Sequence, residues 1–296
     1  MGNLREIRDR MKSVTSTQQI TKAMKMVSAA KLKKAQDNIW MMRPYFSKLN
    51  QLLENLTAGL EIPVTTPLHQ SRELNNVLIV LITSDRGLCG AFNSNIIKRV
   101  SRLIHEKYSE HFQNGKLHLI CLGKKGYEHF LKRKFTIDMG YTDFFTGISY
   151  QKCMKISQTV VDGFISGKYD VVEMVYNEFK NVATQIQKAE VLLPISPEKT
   201  GDKKPTLKKT SYLTEPTPEH LVKELIPKML KVKFYKAILE SVASEQGARM
   251  TAMSQATDNA QELLKNLRLV YNRERQAKIT KEIIEIVSGA EALSAG

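Results

Sequence analysis

Between Leu4 and Leu56 the chain has no glycine and a single proline, Pro44, and its apolar residues recur in alternating steps of three and four. Leu32, Ala35, Ile39, Met42, Phe46, Leu49, Leu53 and Leu56 carry the pattern. In a helix that spacing places one thin apolar seam along one side, the arrangement of a left-handed coiled coil. A helix with so narrow a seam has to bury it against another helix. An earlier stripe, Leu4, Ile7, Met11 and Val14, has the same spacing. Between the two, Gln18 and Thr21 stand where apolar residues belong, and the stripe is expected to resume shifted, at Ile20, Met24 and Val27. Proline inside a helix costs about 3 kcal/mol. The seam nevertheless keeps its register across Pro44, which predicts a kink and not a stop.

The partner lies at the other end of the chain. Thr217, Pro218 and Glu219 form a helix start, with a capping hydroxyl, proline at the first helical position and then an acid. A seam follows through Leu239, Ala243, Gln246, Met250, Met253, Thr257, Ala260, Leu264, Leu267 and Tyr271, again in steps of three and four. Helical sequence continues to about Val287, with Gly289 as the expected terminator. At ~1.5 Å per residue the first helix is roughly 80 Å long and the second roughly 105 Å. The two are expected to pair antiparallel, because a compact segment between them returns the chain, and the longer one overhangs.

That middle segment, about residues 75–196, has a different pattern. Val77–Ile82 is a continuous apolar run, the mark of a strand buried on both faces, and Leu117–Leu122 is a second. Helical stretches are read at Ser94–Lys107, Lys124–Lys132 and Tyr150–Ile165, and further strands at Val171–Tyr176 and Glu190–Pro194. Strand–helix alternation predicts an α/β domain with a largely parallel sheet. The fold expected is therefore α/β: a long antiparallel coiled coil of the terminal helices (1–58 and 217–291) plus an α/β domain (75–196). A basic linker, 197–216, is read as a mobile loop with solvated charges at Lys199, Lys203, Lys204, Lys208 and Lys209.

Chemistry is hard to find. The loop after the first strand, Thr83-Ser84-Asp85-Arg86-Gly87-Leu88-Cys89-Gly90, lies where an α/β fold binds ligands, but it has neither glycine-rich phosphate fingerprint. Ser84 with Asp85 is not a nucleophile elbow, and the Asp85–Arg86 pair is read as a turn salt bridge. None of the six histidines stands at ligand spacing with a second His, Cys or acid cluster, so no metal and no cofactor is expected. Cys89, Cys121 and Cys153 form no C-x-x-C and are read as small buried hydrophobes. No apolar run approaches the roughly 20 residues of a membrane helix. The first residues contain Glu6 and Asp9 and lack an apolar signal core, so the mature chain is expected to begin at Met1, on the cytoplasmic side of any membrane it touches. Lys and Arg number 45 against 30 for Asp and Glu, an excess of +15 that points to an acidic partner. A nucleic-acid-binding coiled coil is one reading of that charge, but the bases are interspersed with acids and no nucleic-acid motif is present. A small-molecule enzyme built on the α/β domain is another, and it lacks a catalytic constellation.

Three stretches carry a resemblance. They are Ile7–Leu32 (IRDRMKSVTSTQQITKAMKMVSAAKL), Thr83–Asn93 (TSDRGLCGAFN) and Glu245–Leu293, the last containing Ile279-Thr280-x-Glu282-x-x-Glu285-x-x-x-Gly289-Ala290. Together they resemble the gamma subunit of F-type ATP synthase, with the match loosest between about Gln113 and Lys209. Nothing in that interval resembles the cysteine-bearing regulatory insertion of the chloroplast form, so thiol control is not expected.

The resemblance implies an antiparallel coil of the terminal helices with a Rossmann-like domain at its base. It also implies a role, the central rotor stalk, present in one copy per complex. The coil would enter a ring of alternating alpha and beta subunits. The foot would rest on the membrane c-ring beside the epsilon subunit, and the chain would carry torque between proton translocation and ATP synthesis or hydrolysis without itself being catalytic. By the same resemblance, Met24, Arg249, Arg275, Gln276, Thr280 and Glu282 match contacts with the beta subunit, and Tyr212 and Glu215 match the region that meets the c-ring. Ile279, Ile283, Ile284, Ile286, Val287, Ala290 and Leu293 spread over more than one helical face and are read as a surface for an apolar sleeve supplied by the ring.

Overall fold

A computed structural model describes residues 4–58, 66–70, 72–195, 215 and 217–294. In chain order the elements are α1 (Leu4–Ala58), a 3-10 turn (Pro67–His69), β1 (Val77–Ile82), α2 (Phe92–Lys107), α3 (Ser109–Gln113), β2 (Leu117–Leu122), α4 (Lys124–Leu131), β3 (Thr136–Tyr141), α5 (Tyr150–Ile165), β4 (Val171–Phe179), β5 (Gln185–Leu193) and α6 (Pro218–Ser294). The chain divides into two compact units: residues 29–249, and residues 1–28 with 250–296.

The larger unit is built on one sheet in the order β3-β2-β1-β4-β5. The first four strands are parallel, with Val77 opposite Leu117 on one side and Val171 on the other, and β5 runs antiparallel to β4. Every residue of β1 is buried. Successive side chains face opposite ways, so a strand covered on both faces has to be apolar throughout. Leu78, Val80 and Ile82 join one core with Val160 and Phe164 of α5 and Phe234 and Ile238 of α6. Val77, Ile79 and Leu81 join a second with Ile96, Val100 and Ile104 of α2. The α1 seam residues Leu32, Ala35, Ile39, Leu49 and Leu56 are buried in this unit, and Lys236 of α6 lies over the Phe46 ring at 4.8 Å.

In the smaller unit the two helices run antiparallel. As position rises along α1 its partner falls along α6: Arg8 donates to the Tyr271 hydroxyl at 2.8 Å, the Thr257 hydroxyl donates to Thr21 Oγ1 at 2.8 Å, and Lys25 donates to Ser254 Oγ at 3.0 Å. The expected α6 seam is the buried one, with Met253, Ala260, Leu264 and Leu267 inside. The α1 seam differs from expectation. It does not shift to Ile20 and Val27, which are exposed, but continues through Thr21 and Ser28, which are buried. Geometric register outranks apolarity here: a small residue fits the seam, and the Thr21 hydroxyl has a partner in Thr257.

Helix α1 runs on past Pro44, as expected, and α6 likewise runs on past Pro227. Three further details depart from the sequence expectation. Gly289 does not end α6, which continues to Ser294; glycine stops a helix by adopting a left-handed conformation, and this one does not. Strand β3 was not anticipated; it is an edge strand of mixed composition with no continuous apolar run. Strand β5 begins at Gln185, earlier than expected, because its first half is a polar edge that pairs with β4. The lysine-rich stretch expected as a mobile linker lies outside the described residues.

Candidate functional site

In a doubly wound sheet the ligand crevice opens beyond the carboxyl ends of the strands, where the strand order reverses. Here that point lies between β1 and β4, and the loop after β1 is tied to itself. The Ser84 amide donates to Asn93 Oδ1 at 3.0 Å, and Asn93 Nδ2 donates to Ser84 Oγ at 2.7 Å and to Cys89 Sγ at 3.2 Å. Ser84 Oγ donates in turn to the Arg86 carbonyl at 2.7 Å. Asp85 does not pair with Arg86 among the described ion pairs. Its carboxylate accepts the Lys124 amide at the start of α4 (3.1 Å) and the Phe145 amide (2.9 Å), so it is an internal anchor between loops and not a turn salt bridge. At the end of β2 the chain passes so close to Thr83 that a Cβ on Gly123 would lie 2.3 Å from the Thr83 carbonyl oxygen, at φ +108. Only glycine accommodates both.

The crevice is occupied by α6. Arg249 and Glu245 are buried, and Arg249 Nη1 donates to Glu245 Oε1 at 2.5 Å. Arg249 Nη2 donates to the carbonyls of Arg86 (3.0 Å) and Gly87 (3.3 Å). Earlier on α6, the Ser244 hydroxyl donates to the Asn177 carbonyl at 3.0 Å, and Glu240 accepts the Phe179 amide at 3.0 Å, both at the end of β4. Burial pushes the Glu245 carboxyl up, against the opposing pull of Arg249. Burial likewise raises Glu240, with the Phe179 amide and Lys236 opposing it. Glu240 ties the helix to the sheet through the Phe179 amide, and Glu245 holds Arg249, the residue that reaches the loop. Among the described residues no group of three or more His, Cys, Asp or Glu side chains is placed to hold a metal ion. The three cysteines are free and buried. Among the described residues no helix is long and apolar enough to cross a membrane.

The residues singled out by resemblance fall in different places. Arg249 is not on the surface; its guanidinium is engaged within the chain, as described. Met24 is half-buried on α1. Arg275, Gln276, Thr280 and Glu282 are exposed on the last part of α6, where Thr280 donates to the Gln276 carbonyl at 3.0 Å and Glu282 lies 3.6 Å from Lys278. Tyr212 lies outside the described residues, and Glu215 is exposed.

Beyond Tyr271, the last residue seen to bond across to α1, every residue from 275 to 290 is exposed. That stretch includes Ile279, Ile283, Ile284, Ile286 and Val287, at 47%, 55%, 59%, 71% and 50% exposure. So many β-branched apolar side chains in water on one helix end mark a surface made to be covered. Glu240, Ser244 and Glu245 were missed in the sequence. The available signal was the cluster of polar residues Glu240, Ser241, Ser244, Glu245 and Gln246, which follows the apolar stretch Ala237–Leu239.

A family model described as ATP synthase matches residues 3–293. An ATP synthase gamma chain from Cytophaga hutchinsonii is 54% identical over 294 residues, covering 99% of this chain and all of that one. One from Chloroherpeton thalassium is 47% identical over 300 residues, covering 99% of each. Among solved structures, a chain of the central stalk/c-ring of the Tetrahymena thermophila mitochondrial ATP synthase is similar with TM-score 0.57 and 26% identity, covering 80% of this chain and 99% of that one. A chain of the Euglena gracilis mitochondrial ATP synthase shares the fold with TM-score 0.70 and 22% identity, covering 99% of this chain and 95% of that one.

Proposed function

The chain belongs to the ATP synthase gamma-chain family and is a central-stalk rotor subunit, and from that premise we propose how its surfaces divide the work. The exposed end of α6 turns inside a ring of alpha and beta subunits, and the foot couples to a c-ring and an epsilon subunit. The chain makes and breaks no bonds itself. It sits as a peripheral component on the cytoplasmic face of the membrane, one copy per complex.

The observation that carries this reading is the bare end of α6: apolar side chains over a wide sector, with Arg275, Gln276, Thr280 and Glu282 among them. A smooth apolar sleeve permits rotation. A few polar groups at fixed angles give the surrounding subunits unequal contacts in each orientation. Each beta subunit then binds nucleotide according to the face it meets, which is coupling through differential contacts. Arg275 suits a carboxylate partner, since its fork binds two oxygens at once. Met24 offers a second contact on α1. Tyr212 and Glu215 belong to the foot. The +15 charge fits acidic loops on the ring subunits.

The test is co-purification. A tagged chain should bring down alpha, beta, epsilon and c subunits as a nucleotide-hydrolysing particle, and a tagged chain recovered alone from membranes holding those subunits would refute the reading. In the recovered particle, Arg275→Ala or Gln276→Ala should lower ATP turnover more than it lowers the yield of assembled complex. Equal losses in both would assign these residues to assembly alone.

A further inference from the structure

We propose that Arg249 is a positioning residue: with Glu245 it clamps the β1–α2 loop to α6, so that a load carried by α6 reaches the parallel sheet through directional bonds. The second half of this rests on the rotor reading; the clamp itself does not.

The geometry separates the clamp from ordinary packing. Apolar burial holds a helix against a sheet without a preferred bond direction, and hydrogen bonds to named carbonyls and amides add fixed directions to it. Glu240 and Ser244 stand one turn apart, as do Glu245 and Arg249, so the four form two neighbouring rows along α6. Glu240, Ser244 and Arg249 meet the ends of the two strands that flank the switch point: Phe179 and Asn177 in the last residues of β4, and Arg86 and Gly87 after β1.

The Arg249 fork takes one carboxylate and two successive carbonyls, a set that a lysine cannot reproduce. Replacing a buried ion pair of this kind by well-packed apolar residues often leaves stability unchanged or higher, so its presence fits a demand for geometry more than for stability. The loop it grips is shaped in a way that needs gripping. Leu88 follows the two held carbonyls, has φ 61, and is 65% exposed. A bulky residue in the left-handed region persists only where its surroundings over-determine it.

Cys89, the next residue, is 2% exposed and reports on the clamp. Cys121 in β2 and Cys153 in α5 are buried elsewhere in the same unit and serve as internal controls.

The full chain is treated with a small alkylating reagent over a range of pH, and the rate per thiolate at each cysteine is read by peptide mass spectrometry, because the Arg249 charge also favours the Cys89 thiolate. Arg249→Gln is expected to speed modification of Cys89 by at least about tenfold, the scale of one lost charge-assisted hydrogen bond, and to leave Cys121 and Cys153 at their wild-type rates. Arg249→Lys should fall between. If the Gln variant opens all three cysteines it has lost its fold, and the Lys variant decides: faster Cys89 alone supports the clamp, and an unchanged Cys89 overturns it.

The same Lys substitution is then placed in the assembled complex in membrane vesicles, where protons pumped per ATP hydrolysed should fall while hydrolysis is largely kept. A looser Cys89 with a wild-type pumping ratio would overturn load transfer and leave the clamp. Wild-type vesicles that hydrolyse ATP without pumping would instead count against the rotor reading, with the clamp still judged by Cys89.

Discussion

Replacing Ile283, Ile284 and Ile286 by glutamine tests whether the bare end of α6 is made for a sleeve. Full burial of an isoleucine side chain is worth about 1.5–3 kcal/mol. In the free chain these three are 55%, 59% and 71% exposed, so roughly 60% of that remains to be gained when a partner covers them. The gain is about 1–2 kcal/mol each and about 4 kcal/mol together, close to a thousandfold in affinity. Glutamine is at least as good a helix former as isoleucine, so the helix itself is not weakened. Thermal melting of the isolated chain should therefore be unchanged. In a competition assay, wild-type and triple-variant chains carrying different tags compete for a limiting amount of alpha and beta subunits, and the variant should be displaced at equal concentration. A variant that assembles as well as the wild type would refute the sleeve. A lowered melting point in the isolated chain would show that the isoleucines are covered by this chain's own residues.

Two further outcomes follow from the larger unit. Burial would raise the Asp138 carboxyl, but hydrogen bonds from Lys168 (2.6 Å), Tyr169 (2.5 Å) and His118 (2.7 Å) more than offset it and hold it below the usual carboxylate range. A depressed carboxyl stabilises the fold above its unfolded pKa, ~3.9, and that contribution is lost as pH falls through the lower folded value. Urea midpoints of the wild type should therefore decline below about pH 5 more steeply than those of Asp138→Asn, and parallel pH profiles would refute the assignment. Phe234, fully buried against β1 and α5, should cost about 3–5 kcal/mol when replaced by alanine. A loss under about 1 kcal/mol, measured by urea unfolding, would mean that α6 does not close that face of the sheet.

The parts of this fold that could be read from sequence are those in which burial and apolarity coincide. The α6 seam from Leu239 to Tyr271 and the runs of β1 and β2 are of this kind. The α1 seam shows how the two come apart. Ile20 and Val27 are apolar and exposed, while Thr21 and Ser28 are polar and buried, because a coiled coil selects positions first and residue types second. Strand β3 escaped because an edge strand needs no apolar run, and its Gly140 marks a tight approach to the Tyr127 ring rather than a turn. The clamp could not be read at all. Arg249 and Arg86 lie 163 positions apart, and pattern reading assigns a charged helix residue to solvent. The exposed end of α6 was legible for the opposite reason: its isoleucines cover about half of the helix circumference, more than one thin seam can bury.

The switch point bears on why a fold so often used for binding small molecules serves a mechanical part here. A ligand site at that position works through unpaired backbone amides and an open crevice. In this chain three amides near the loop are already used: Ser84 on Asn93, and Lys124 and Phe145 on the Asp85 carboxylate, which supplies from within the negative charge that a phosphate would bring. The crevice itself holds Ser244, Glu245 and Arg249. An incoming phosphate would have to displace a carboxylate and a buried helix together, losing hydrogen bonds that water replaces only in part. The same side chains that fill the crevice tie α6 to the ends of both central strands, β1 and β4.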